Sequence, residues 1–293
     1  MQSAAPPALM SRIGQQFLLL LSPLKNYVAI RECLKFLWTH RQLSYEMAKK
    51  DILERSHGQV FGYLWIFFQP LLLIAVYSLI FVVIVRMRHP EAVSGPDYGF
   101  YVMSGLLVWL STAEALGRAS IVLRSNSSLI KQVIFPIEVL PVANVLMAFF
   151  TQTVFLTGLA LVMAAMGKAL PWTLLLLPFA ALAQVLGLIG ISFIISAISV
   201  YLKDIREILQ AYLTIAVYTL PLFFAPEQAP SAVRWIFEWN PFTPMINVFR
   251  DILYHGRIEH PISWVVFFGV SLFILGAGFR FFRRVKIYFG SII

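Results

Sequence analysis

The five histidines, His40, His57, His89, His255 and His260, are where metal-assisted or acid–base chemistry would first be sought. Two of them sit in the run HGRIEH, residues 255–260. It approaches the H-x-x-E-H arrangement of a catalytic metal site but carries one residue too many, and no H-E-x-x-H occurs. The other histidines are scattered. The single cysteine, Cys33, excludes an intrachain disulfide and any multi-cysteine metal site. No G-x-x-x-x-G-K-[ST] phosphate-binding loop is present, so ATP and magnesium find no such site on this chain. No residue is assigned a catalytic, metal-binding or cofactor-binding role. An integral membrane enzyme of glycolipid metabolism would need facing carboxylates or metal ligands at membrane depth, and is the remote alternative.

Other residue types could line a path or simply pack. Aromatic residues make up 15% of the chain. Phe68, Tyr77, Tyr101, Trp109 and Phe149 all fall in apolar runs, with Gln69 and Gln152 among them. Sugars present C–H faces that stack on rings, and hydroxyls that need polar partners. A sliding polymer needs many weak contacts and no strong one. These seven residues are the candidate lining of a path. Each ring can equally be core or lipid-facing packing. The polar groups in or near the spans, including Glu114, Asn144 and Gln184, can equally hold helices together. Glu114 and Arg118 are spaced to pair along one helix.

The elements that position these residues must be membrane helices. The chain is 59% hydrophobic and only 13% charged over 293 residues, with mean hydropathy +0.79. Its apolar residues lie in long runs. Six spans are expected, at about 61–85, 98–116, 137–166, 172–200, 208–224 and 262–279, with Pro70 kinking the first. The fold class is thus all-α and integral to the membrane. With both termini inside, 17 Lys and Arg fall in inner segments and six in outer ones. That imbalance predicts cytoplasmic termini, and it accounts for the net charge of +9 without nucleic acid as a partner.

Three segments between the spans are informative. Residues 45–60 read as an amphipathic helix on the inner surface, after a cytoplasmic segment 1–44 that carries no secretory signal. It is either a surface anchor or a gate, with Lys49, Lys50 and Arg55 near the headgroups. Residues 118–136, RASIVLRSNSSLIKQVIFP, predict a short inner helix started by Ser127 or Ser128 and stopped by Pro136. It either joins two spans or docks a cytoplasmic partner. Residues 225–261 are too polar to span and predict two short amphipathic helices broken at Asn240-Pro241. These form either a simple cap or something that dips into the bilayer. A basic tail, 281–293, closes the chain.

These segments carry a resemblance. KDILER at 50–55, then Gly58, Gly62-Tyr63-Leu64-Trp65 and Gln69-Pro70, resembles the start of an ABC-2 type permease of the polysaccharide-exporter family. NSSLIKQVIFP at 126–136 is similar to that family's loop after the second span. The segment from Pro226 through Asn240-Pro241 to Phe249-Arg250 is similar to its outer segment. The likeness covers residues 45–280 and is strongest to O-antigen export permeases. It implies a coupling helix with Asn126, Leu129, Ile130, Lys131 and Phe135 against an ATP-hydrolysing subunit. It implies re-entrant outer helices forming a gate with Trp235, Trp239, Asn240, Pro241 and Arg250. It also implies a homodimer with two ATPase subunits in a bacterial inner membrane, moving a lipid-linked glycan among membrane lipids. A permease for capsule glycan, teichoic acid or a drug is the alternative cargo reading.

Overall fold

The computed structural model describes residues 23–56, 68, 72, 75–76, 95–131, 135–168, 171–202, 204–228 and 230–291. Every regular element among them is a helix. Pro23 opens α1 (Pro23–Thr39) at the position where its missing N–H costs nothing. The chain turns at His40 and continues as α2 (Arg41–Ser56). Then come α3 (Gly95–Ala119), the single turns α4 (Val122–Ser125) and α5 (Ser127–Ile130), and α6 (Val139–Ala165). A 3-10 segment, Trp172–Leu176, leads into α7 (Leu177–Tyr201), followed by α8 (Ile205–Thr219). Two short helices, α9 (Ser231–Glu238) and α10 (Thr243–Arg250), precede α11 (Pro261–Val285).

Among the described residues, four helices are long and apolar enough to cross a membrane: Asp97–Ala119, Val139–Ala165, Trp172–Tyr201 and Pro261–Val285. They match the expected second, third, fourth and last spans to within a few residues. The last runs past its apolar stretch because Arg283 and Arg284 sit in its final turn, where cations suit the helix dipole. The expected fifth span is shorter than the apolar run suggests. Its helix stops at Thr219, where Leu220 turns extended before Pro221, which cannot continue it. The expected first span lies outside the described residues except for Phe68, Leu72, Ala75 and Val76, which are helical and exposed.

α3 is the central helix. Val102, Leu107, Val108 and Trp109 are fully enclosed, as an all-round apolar helix requires. α7 and α11 cross backbone to backbone. A Cβ on Gly190 or Gly278 would overlap main-chain atoms of the opposite helix, and one on Gly187 would lie 2.9 Å from Ser271 Oγ. Without a hydrophobic driving force between helices in lipid, small residues let close packing supply the attraction. The other side of α11 receives α1 in the same way. A Cβ on Gly276 would lie 2.8 Å from the Asn26 carbonyl oxygen.

Candidate functional site

Three polar regions stand out: one at the end of the bundle that carries α1, α2, α4 and α5, one inside it, and one at the far end. The first is basic. Between α3 and α6 the chain makes two single turns, with Asn126 between them. The expected cap is replaced. Ser127 is already helical, and neither turn has a side-chain cap. Asn126 bonds backwards instead, donating from Nδ2 to the Val122 carbonyl at 2.9 Å. Ile130 is buried in the chain's own core, and Leu129 and Phe135 pack against that core. Lys131, Ser125 and Ser128 are left exposed.

α2 packs along α6, the helix that follows this loop. Its Ser44 and Ala48 are buried, while Lys49 and Lys50 are exposed. Lys50 pairs with Glu54 at 3.4 Å. Burial raises the pKa of Asp51 from its ordinary value, against the pull of Arg118. Arg118 stands 3.9 Å from Glu114. The side chains of Arg55, Gln69 and Tyr77, three of the expected site residues, lie outside the described residues. Phe68 is exposed.

Inside the bundle, Gln152 of α6 and Gln184 of α7 exchange two amide hydrogen bonds, at 2.7 and 2.8 Å. Gln184 also donates to Thr112 Oγ1 of α3 at 3.0 Å. Three spans are thus tied by one polar cluster, each member of which is buried. Gln152 is placed as a bridge between helices, one of the two roles its sequence context allowed. Trp109 is enclosed with its ring edge-on to Phe242, and Phe149 is half-buried.

At the far end, α9 and α10 form the two expected short helices, with the break at Trp239–Phe242. Asn240 makes the break. Its Oδ1 accepts from Phe242 N at 3.1 Å, and its Nδ2 donates to Thr219 Oγ1 at 3.2 Å. Trp235, Trp239 and Pro241 are exposed, with Trp239 83% so. Arg250 is 2% exposed. It donates to the Pro221 carbonyl at 2.6 Å, and its guanidinium lies 3.7 Å from the centre of the Tyr101 ring. Burial lowers its pKa, while Tyr101, Tyr254 and Asp251 favour its charge.

Sequence reasoning did not anticipate the next element. α10 runs into a π-turn, Asp251–His255, which ends at Gly256 with φ of 66°. That φ is a left-handed conformation suited to glycine. Asp251 accepts hydrogen bonds from Trp264 Nε1 at 3.0 Å and from His260 N at 3.1 Å, and its Oδ1 lies 2.9 Å from His260 Nδ1. His255 pairs with Glu259 at 3.0 Å. The two histidines of the HGRIEH run thus pair with separate carboxylates, His255 with Glu259 inside the run and His260 with Asp251 before it. Among the described residues no group of three ligating side chains could hold a metal ion. A second missed feature is Glu138, two residues beyond the Phe-Pro pair, buried where α6 begins. Its signal was an acidic residue in an otherwise apolar run.

Four long apolar helices with polar groups gathered at their ends and crossings make this a multi-pass, all-helical membrane protein. It belongs to the ABC-2 type transporter family, which matches residues 42–254. Three relatives share about four-fifths of this chain. Two are O-antigen export system permease proteins RfbA of Klebsiella pneumoniae, 28% and 29% identical over 250 residues, covering 84% of this chain and 93% of each relative. The third, of the same name in Myxococcus xanthus, is 25% identical over 249 residues, covering 84% and 94%.

Proposed function

We propose that this chain is the membrane-spanning permease subunit of an ATP-driven exporter that moves lipid-linked O-antigen across the bacterial inner membrane. The observation that carries this reading is the family match over residues 42–254. The cargo is drawn from the relatives named as O-antigen export permeases.

The chain works as a homodimer with two separate ATPase subunits, which hold the ATP and magnesium. Both termini and the basic end face the cytoplasm. Six spans are completed by residues 61–85 and by α8 with the segment up to Phe224. The exposed stripe of α8, with Ile208, Ile215 and Tyr218, supports contact with apolar neighbours there. The loop at 126–135 docks on the ATPase. Its exposed Lys131 supports an ion pair with an acidic residue, while Ile130, Leu129 and Phe135 hold the loop to the bundle. Asn126 shapes the turn. α2 is the gate, with Lys49, Lys50 and Arg55 near the phosphate-bearing headgroup. Phe68, Gln69, Tyr77, Tyr101 and Phe149 are candidates for the sugar path. Trp109 and Gln152 are enclosed in this conformation and would reach a path only after the helices separate. The far-end pair α9 and α10, with Trp235, Trp239, Asn240, Pro241 and Arg250, is the outer gate. Backbone at that depth is tolerable because its polar groups are met by protein.

The test is purification of the tagged chain in mild detergent from its native host, with identification of what co-purifies. A stoichiometric ATPase and export lost on deleting the gene support the reading. A chain that remains alone after crosslinking at Lys131 refutes it. Within the complex, Lys131→Asp should cut export and weaken ATPase binding. Wild-type behaviour would refute the docking assignment.

A further inference from the structure

A buried carboxylate closes the loop at the basic end. Glu138 is 2% exposed. Its Oε1 accepts a hydrogen bond from Lys286 Nζ and stands 3.8 Å from Arg283 Nε. Arg283 reaches onward to Glu32 Oε2 of α1 at 2.9 Å, and its guanidinium lies 4.7 Å from the centre of the Phe279 ring. A single line of alternating charge thus joins three parts of the chain that are far apart in sequence. These are Glu138 just beyond the 118–136 loop, the last turn of α11 with the segment after it, and α1. Only the carboxylate is buried, with both cations half-exposed, so the pairing adds little net stability, yet removing the cations leaves a buried charge uncompensated. The arrangement therefore fixes relative position more than it strengthens the fold.

The segment before Glu138 is stiff. Val139 N donates to the Pro136 carbonyl at 3.0 Å, and Leu140 N donates to that of Ile137 at 3.1 Å. Phe135 and Ile137 pack on the core. Residues 135–138 thus lead directly from the core-packed Phe135 into the first turn of α6. On the other side of the clasp, α1 is bound to α11 a second time, by Arg280 to Asn26 and by the close approach at Gly276. Glu138 is thus linked through one chain of contacts to both α11 and α1.

We infer that Glu138 is a positioning residue for transport, which couples the Phe135–Ile137 end of the loop to the last span and the N-terminal helix. The inference rests on the reading of that loop as the ATPase contact. It goes beyond it by naming the route through which the contact acts and the side chains that make it.

Cys33 is a built-in reporter. It is the only cysteine in the chain and is fully buried. Burial pushes its thiol up to about 12, with Arg283 and Glu138 both near enough to act on it. It should be almost inert to maleimide while the clasp is closed.

The experiment compares wild type, Glu138→Gln, Lys286→Gln and Glu138→Asp, each co-expressed with its ATPase. Glu138→Gln and Lys286→Gln should bind and hydrolyse as wild type does while export falls about tenfold, the scale of a typical coupling change. Maleimide labelling of Cys33 should rise in both. Glu138→Asp, which keeps the charge, should recover most of the export. Export at the wild-type level in Glu138→Gln would overturn the inference. So would a parallel fall of ATPase binding, hydrolysis and export, because that is the mark of a merely structural role. If no ATPase accompanies the wild-type chain, the docking reading itself fails, which the first arm shows separately.

Discussion

The guanidinium carbon of Arg250 lies over the ring of Tyr101, 3.7 Å from its centre, and ties α10 to α3 at the far end of the bundle. The same guanidinium donates to the carbonyls of Pro221 and Leu222, at 2.6 and 3.4 Å, where α8 has ended and the chain has no helical partners of its own. One side chain thus fastens three elements. Arg250→Ala would leave those carbonyls unmet and remove the stacking. It should cost about 3 kcal/mol in thermal unfolding of the detergent-solubilised chain. Tyr101→Phe should change stability by less than about 0.5 kcal/mol, because the buried hydroxyl it removes has no hydrogen-bond partner. A large loss in Tyr101→Phe would show that the hydroxyl is engaged.

The crossing of α7 and α11 predicts a sharp contrast between glycines. Gly278→Ala drives a methyl into the backbone at Gly190 and should prevent the two helices from meeting, with little folded protein recovered from the membrane. Gly269 lies on the same helix with open space around it. Gly269→Ala should be neutral or stabilising by about 0.5 kcal/mol, through helix propensity alone. Equal tolerance of both changes would mean that the helices are not in contact there.

The reciprocal amide pair predicts strong non-additivity. Gln152→Leu or Gln184→Leu alone strands a buried amide and should cost about 1–2 kcal/mol. The double substitution removes both partners and should cost clearly less than the sum. A double-mutant cycle on unfolding reads this directly. Additive losses would show that the two amides do not depend on each other.

The Asp251–His260 pair gives a pH window. The Asp251 hydrogen bond raises His260 above its ordinary 6.5, against burial. Its contribution is complete below that ordinary value and is lost as pH rises through the higher folded one. For Asp251, burial acts upward, but hydrogen bonds from His260 and Trp264 outweigh it and bring the group below its ordinary 3.8. Its contribution is present above the ordinary value and is lost as pH falls through the lower folded one. Stability of the far end should therefore decline as pH rises past the ordinary 6.5 of a histidine, and His260→Asn should flatten that limb. An unchanged pH profile in His260→Asn would count against the pair.

Much of the architecture was legible residue by residue. The runs at 98–116, 137–166, 172–200 and 262–279 are apolar for a full membrane width, and each is a helix in the structure. The break at Asn240-Pro241 was also legible, because Pro removes a donor and Asn supplies an Asx turn. The helix at 23–39 was not. Its polar and apolar residues alternate too weakly to mark one face, and it is held by close approach at Gly276 and by Arg280 and Arg283. The face of α5 was also hidden. Leu129 and Ile130 share helical spacing whether they turn toward a partner or toward the chain's own core, and only the core packing shows that Ile130 turns inward.

The sequence alone determined that this is a bundle of membrane helices, because in lipid every span must satisfy its own backbone, and long apolar runs have no other stable form. It also carried the family, through short motifs in fixed order. The tertiary structure decided which polar groups meet. Arg250 finds Tyr101, Gln152 finds Gln184, and Glu138 finds Lys286, 148 residues away. Local spacing cannot encode such pairs, since they depend on how helices rotate and cross, and that is set by small residues such as Gly190 and Gly278 acting together.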